Sequence, residues 1–111
     1  MAFRQWILCN LLSMGVLAAG GQQLPVFNKV IPSFGNFSGI VGGITQDKNG
    51  YLWVATSGGL YQYDGYRFKL FVNEPGNANS LSSNILETVY ADAHGRIWIA
   101  TWAEGLDMYI R

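Results

Sequence analysis

The stretch DKNGYLWVAT, Asp47 to Thr56, returns as DAHGRIWIAT, Asp92 to Thr101. Asp, Gly, Trp and Thr keep their places at a constant offset of 45 residues, as 92 − 47 and 101 − 56 show. A unit of this length cannot bury its apolar face alone, so repeats of it stack on one another and share a core. Any fold for this chain therefore has to seat two like units side by side.

Each unit reads as short strands. From Ile40, IVGGITQ leads to Asp47-Lys48-Asn49-Gly50, YLWVAT to Ser57-Gly58-Gly59, LYQY to Asp64-Gly65, and YRFKLF runs to Phe71. Apolar and aromatic runs punctuated in this way predict four antiparallel strands joined by three tight turns. Gly50 and Gly65 can take positive φ, and Asp47 and Asp64 can accept hydrogen bonds from turn amides. The best helical candidate after Gly39 is Ser82 to Tyr90, and its β-branched and aromatic residues favour strand instead. Between the units, NEPGNANSLSSN (73–84) reads as loop. In the second unit Ile85, Val89 and Asp92 repeat Ile40, Ile44 and Asp47. Past Thr101 the offset becomes 46, since Gly105 and Leu106 repeat Gly59 and Leu60, so one turn carries an extra residue. Tyr109 then matches Tyr63, and the sequence stops at Arg111 before a fourth strand.

A four-stranded antiparallel sheet of this size is one blade of a β-propeller, which makes the chain all-β. Trp53 and Trp98 share a position in the second strand, where a ring burying on the order of 200 Å² can fill the wedge between adjacent sheets. A ring takes about four to eight blades. The expectation is an N-terminal fragment of a longer protein, with an obligate oligomer of short chains as the alternative. The domain plan is 1–20 signal peptide, 21–39 lead-in segment, 40–72 blade 1, 73–84 linker loop and 85–111 incomplete blade 2.

The hydrophobic half of the composition is not all core. One cation, Arg4, precedes the nearly uncharged run from Trp6 to Ala19, and Gly20 and Gly21 follow. A basic start, an apolar stretch and small residues describe a secretory signal peptide cleaved after Ala19 or Gly20, the alternative being a retained anchor. The one cysteine, Cys9, lies inside that run, so a mature chain would have no thiol chemistry and no disulfide. In the lead-in segment Pro25 and Pro32 argue against helix and for an extended strand plus loop; Asn36-Phe37-Ser38 matches a glycosylation sequon by a pattern too common to carry weight. Seven basic residues balance seven acidic ones without a run of either sign, which leaves no footprint for nucleic acid.

The segments ITQDKNGYLWVATSGGLYQYDGYRFKLF and NSLSSNILETVYADAHGRIWIATWAEGLDMY resemble the two-component regulator propeller repeat. Its pattern is D-x-x-G-x-[LI]-W-[IV]-[AG]-T, then G-L-x-x-[YF]-[DN], with an S-L-S-x-N linker, and the likeness runs from Ile40 to Tyr109. The resemblance implies an exported, periplasmic sensor region of many blades. An immunoglobulin-like domain, a transmembrane helix and cytoplasmic modules often follow. Those modules form a hybrid histidine kinase responding to carbohydrate breakdown products in many bacterial relatives, and a diguanylate cyclase in others. Implied partners are the remaining blades, a small-molecule or oligosaccharide ligand and a homodimer of the parent, with a membrane met only through the signal peptide or a downstream segment. Two other classes stay open: an exported propeller enzyme such as a polysaccharide lyase or glycosidase, and a structural or adhesive repeat protein. The second copy departs from the first in having Trp102-Ala103-Glu104 before its Gly-Leu, and Asp107-Met108-Tyr109 where the first has Tyr61-Gln62-Tyr63.

No catalytic, cofactor or metal site is expected in this stretch. His94 sits in a turn without companion ligands at a recognised spacing. Asp47, Asp64, Asp92 and Asp107 lack the alternating spacing of a calcium loop, and turn capping accounts for the first three. Ser57-Gly58-Gly59 is a turn without the lysine of a phosphate cradle, and Thr56 and Thr101 are expected to hydrogen-bond within their blades. Trp102, Glu104, Tyr61 and Tyr66 are the candidate ligand contacts, since aromatic faces stack on sugar rings and carboxylates bind hydroxyls. Against that stands packing between blades for the aromatics and a solvated charge for Glu104, the reading favoured here.

Overall fold

The computed structural model describes residues 24–33, 35 and 37–110; the expected signal peptide, Cys9 and Asn36 of the sequon lie outside them. Seven strands follow in order: β1 (Val41–Gln46), β2 (Leu52–Thr56), β3 (Gly59–Tyr63), β4 (Phe68–Phe71), β5 (Leu86–Ala91), β6 (Arg96–Thr101) and β7 (Leu106–Ile110). They make two antiparallel meanders, β1-β2-β3-β4 and β5-β6-β7. The all-β expectation holds, because every reversal has the residue it needs: Gly50 at φ 88° and Gly95 at φ 81° close the two Asp-led turns. Even the irregularities repeat, with a bulge at Val41/Gly43 in one sheet and at Leu86/Thr88 in the other. The stretch Ser82–Tyr90 is strand only from Leu86; ahead of it Ser82 is tied to Asp107 and the Ile85 carbonyl accepts the Trp102 amide at 3.0 Å.

The two sheets meet face to face, with β1 and β2 against β5. Close approach of β1 is possible because Gly42 and Gly43 lack side chains. A Cβ on Gly42 would run into the Glu87 carbonyl oxygen, and one on Gly43 would stand 2.7 Å from Thr88 Oγ1. Across this junction Thr45 Oγ1 accepts the Ala91 amide at 3.2 Å. The shared core is Trp53, Ala55 and Leu60 against Leu86, Val89, Ile97 and Ile99. Trp53 fills the wedge as expected and is 1% exposed; at about 25 cal/mol per Å² a buried indole contributes on the order of 5 kcal/mol before entropy is counted.

Trp98 does not play the same part. Ile97 and Ile99 face blade 1, so strand alternation turns Trp98 to the opposite face, where it is half-buried beside its cross-strand neighbours Met108 and Tyr90. Leu106, Met108 and Ile110 lie on that same face and are exposed. Behind blade 1, on the side away from blade 2, the lead-in segment supplies the cover: Pro32 is buried, and Phe37 meets Tyr61 and Phe68 edge-on at 4.9 and 5.2 Å.

Candidate functional site

Each repeat builds the same hydrogen-bonded unit. Asp47 Oδ1 accepts the amides of Asn49 (2.9 Å) and Tyr51 (3.0 Å), while Oδ2 accepts the indole Nε1–H of Trp53 at 2.8 Å. Asp92 Oδ1 accepts the amides of His94 (2.8 Å) and Arg96 (3.0 Å), and its Oδ2 accepts Trp98 Nε1–H at 2.9 Å and Arg96 Nε–H at 2.6 Å. The aspartate thus closes the turn and satisfies the ring donor six residues on. Partial desolvation works to raise the Asp92 carboxyl, but the Trp98 indole, the Arg96 amide and side chain and the His94 amide outweigh it and hold it below the usual carboxylate range. At Asp64 the Arg67 and Tyr66 amides lower the carboxyl in the same way.

These aspartates are turn cappers, as expected for Asp47, Asp64 and Asp92. Asp107 is different: it sits in β7 and accepts the amide (2.8 Å) and hydroxyl (2.6 Å) of Ser82, fastening the linker to blade 2. Thr56 accepts the Gly58 amide and donates to the Gly59 carbonyl, and Thr101 accepts the Glu104 amide and donates to the Gly105 carbonyl. The extra residue of the second copy is absorbed in that turn with the threonine's bonds intact. Among the described residues no group of three or more side chains could hold a metal.

A cleft of about 390 Å³ opens where the blades splay, between β4, β7 and the linker. Its floor is a cluster of three rings: Trp53 stacks on Phe71 at 5.8 Å, and Tyr109 tilts against them at 5.3 and 5.9 Å. Lys69 Nζ lies 4.9 Å from the Phe71 centroid, and Glu74, Asn77 and Asn79 line the rim. The rim has a fixed shape because the linker bonds to itself. Asn73 Nδ2–H donates to the Leu81 carbonyl at 2.6 Å, Asn77 Nδ2–H to Glu74 Oε2 at 2.9 Å, and the Glu74 amide to Ser80 Oγ at 2.9 Å. The half-buried rings of Phe71 and Tyr109, laid over a Trp53 that is itself buried, offer apolar surface beside amides, a cation and a carboxylate, a combination that suits a small polyhydroxylated molecule. Sequence reasoning read this linker as loop and passed over its rim residues; the high Asn and Ser content was the available signal.

The four candidate contacts do not converge. Tyr61 is 1% exposed in β3, its hydroxyl accepting the Ser38 amide at 3.1 Å, so it packs against the lead-in segment and not against the neighbouring blade. Tyr66, 95% exposed, stands in the β3–β4 turn, at the end of the sheets that carries the Asp47 and Asp92 turns. Trp102, 70% exposed, and Glu104 stand in the β6–β7 turn at the opposite end. None of the four lines the cleft.

Known proteins share this arrangement. A family model described as two component regulator propeller matches residues 35–58 and 79–103. Histidine kinase P4 of Formosa agariphila is 42% identical over 57 residues, 51% of this chain and 4% of its own length. Among solved structures, the extracellular domain assigned to a hybrid two component system of B. thetaiotaomicron superposes with a TM-score of 0.61 and 42% identity, covering 67% of this chain and 10% of its own. A second extracellular domain from that organism, assigned to a one component system, gives a TM-score of 0.57 and 30% identity over 62% of this chain and 10% of its own. The chain therefore spans a small part of each of these relatives. With the Asp-Gly-Trp-Thr unit built twice in the same geometry, residues 35–58 and 79–103 match two repeats of the two-component regulator propeller.

Proposed function

We propose that these blades belong to the exported, periplasmic propeller sensor region of a two-component signalling protein, with a hybrid histidine kinase as output. The observation that carries the reading is the 42% identity to an extracellular domain assigned to such a system. In this reading the remaining blades complete the ring and residues 1–20 act as the export signal. A ligand acts by binding one arrangement of the receptor better than another, which shifts the population that drives the output. The ligand class is a small carbohydrate, for which the ring-floored cleft with its amide and carboxylate rim has the right chemistry.

The test uses the complete protein encoded by the locus. Calorimetric titration with defined neutral and acidic oligosaccharides, paired with phosphate transfer from ATP, should give saturable binding without turnover and a ligand-dependent change in phosphorylation. Cleavage of the oligosaccharides would favour an exported enzyme, and nucleotide cyclisation in place of phosphorylation would favour a diguanylate cyclase.

A further inference from the structure

The two Asp-led turns are built alike and differ in the residue that precedes the turn glycine. In blade 1 it is Asn49; in blade 2, 45 residues on, it is His94. Asn49 and Gly50 are both exposed, and the space that a Cβ would take on Gly50 holds no atom within 4 Å. Among the described residues the Asn49 side chain makes no hydrogen bond, whereas those of Asn73, Asn77 and Asn84 are engaged within the linker. An Asn side chain that precedes glycine is open to attack by the glycine amide nitrogen, because no side chain on that residue shields it. Asn28 and Asn79, by contrast, precede Lys29 and Ser80.

We propose that Asn49 is a site of spontaneous deamidation and isomerisation, with water as the co-reactant, which ages blade 1 and spares the matching turn of blade 2. The Gly50 nitrogen gives up its proton and bonds to Asn49 Cγ; the bond from Cγ to the side-chain nitrogen breaks and ammonia leaves. Water then opens the cyclic imide, at Cγ to give aspartate or at the Asn49 main-chain carbonyl carbon to give isoaspartate. One water enters and one ammonia departs for each conversion, and nothing is oxidised or reduced. The folded turn sets the pace, since the Gly50 amide donates to the Asp47 carbonyl at 3.0 Å and is free to react only when the turn opens. Isoaspartate adds a methylene to the main chain between the Asn49 and Tyr51 amides, which share Asp47 Oδ1 at 2.9 and 3.0 Å. One of those bonds is then lost, in the same unit that holds Trp53. Asp64-Gly65 is not an equivalent site. The Arg67 and Tyr66 amides hold the Asp64 carboxyl ionised from 2.7 and 2.8 Å, and a carboxylate has no leaving group to expel.

Peptide mapping of the complete protein, incubated at mildly alkaline pH, tests it. The tryptic fragment from Asn49 to Arg67 should take on the mass shift of deamidation at least about tenfold faster than fragments carrying Asn28 or Asn79. Electron-transfer fragmentation should find isoaspartate in excess over aspartate at position 49. The Tyr51 amide of the aged protein should exchange with deuterium at least about tenfold faster than before incubation, while the Arg96 amide, its counterpart on Asp92, keeps its protection. Asn49→Gln should remove the mass shift and keep Tyr51 exchange constant through the incubation. Asn49 that survives in the folded protein, whatever its fate in urea, overturns the site. Aspartate without isoaspartate overturns the isomerisation, and isoaspartate with an unchanged Tyr51 amide overturns its effect on the turn. Each of these results leaves the sensor reading standing, since the chemistry involves neither ligand nor output.

Discussion

Removing the Asp47 carboxylate tests whether the repeated aspartate and tryptophan work as one unit. In Asp47→Ala the Trp53 indole N–H loses its acceptor at 2.8 Å while the ring stays in a site only 1% exposed. A buried donor left unpaired costs about 1–3 kcal/mol. The Asn49 and Tyr51 amides also lose their partner, a loss like that of a helix cap at about 0.5–2 kcal/mol, reduced here because the Asn49 end of the turn is open to water. Together these give about 2–4 kcal/mol, a large fraction of the stability of a small domain. Asp47→Asn should fall between wild type and Ala. Its remaining oxygen can serve the two amides, but the NH₂ group then faces the indole donor.

The decisive comparison is a cycle with Trp53→Phe, measured by urea unfolding with far-ultraviolet circular dichroism. Phe removes the indole donor, so the double variant carries only the loss at the two turn amides, and the two changes should couple by about 1–2 kcal/mol. A coupling below about 0.3 kcal/mol, or an Asp47→Ala cost below about 0.5 kcal/mol, would refute the argument that the carboxylate holds the ring.

Acid should expose the other carboxylates: Asp92 and Asp64 titrate lower folded than unfolded, so beneath about pH 4 the unfolded chain binds more protons and stability falls as pH falls. Asp92→Asn should flatten that limb in melting temperatures taken from about pH 2 to pH 6; an unchanged limb counts against the assignment. Gly42→Val should push β1 off the Glu87 carbonyl and cost about 1–3 kcal/mol by overpacking, with Thr45–Ala91 protection lost first in hydrogen exchange. Thr56→Val keeps shape but strands the Gly58 amide and the Gly59 carbonyl, for about 1–3 kcal/mol in urea unfolding. Trp102→Ala, by contrast, should change stability by less than about 0.5 kcal/mol, since the ring is 70% exposed.

The strands and turns were legible because Gly50, Gly95 and the capping aspartates state their roles locally. The wedge position of Trp53 was legible from the repeat. Pairing information was not. Nothing local says that Tyr61 lies beneath Phe37, because which face of β3 is covered depends on what packs behind the sheet. The Asp–Trp bond crosses a hairpin, and its signal, a six-residue spacing kept in both copies, makes sense only once the turn between them is drawn. Trp98 misled for a related reason: its position copies that of Trp53, but burial there requires a neighbouring sheet that the described residues do not include.

What the two copies share closes turns and pairs donors within a blade, with Trp53 also filling the wedge between sheets, and several positions they do not share lie where a blade meets something else. Asp, Gly, Trp and Thr recur and bond to their own sheet. The contact positions differ: Gly42-Gly43 against Glu87-Thr88, Tyr61 against Asp107, and Ser57-Gly58 against Trp102-Ala103-Glu104. Glu87 and Thr88 of blade 2 carry side chains at the positions where Gly42 and Gly43 of blade 1 make room for the neighbouring sheet. Like sheets with identical faces could stack in any order or slip past one another, so dissimilar faces are what fix each blade to its neighbour. The repeat therefore specifies the blade, and the departures from it make its two faces and its turns different.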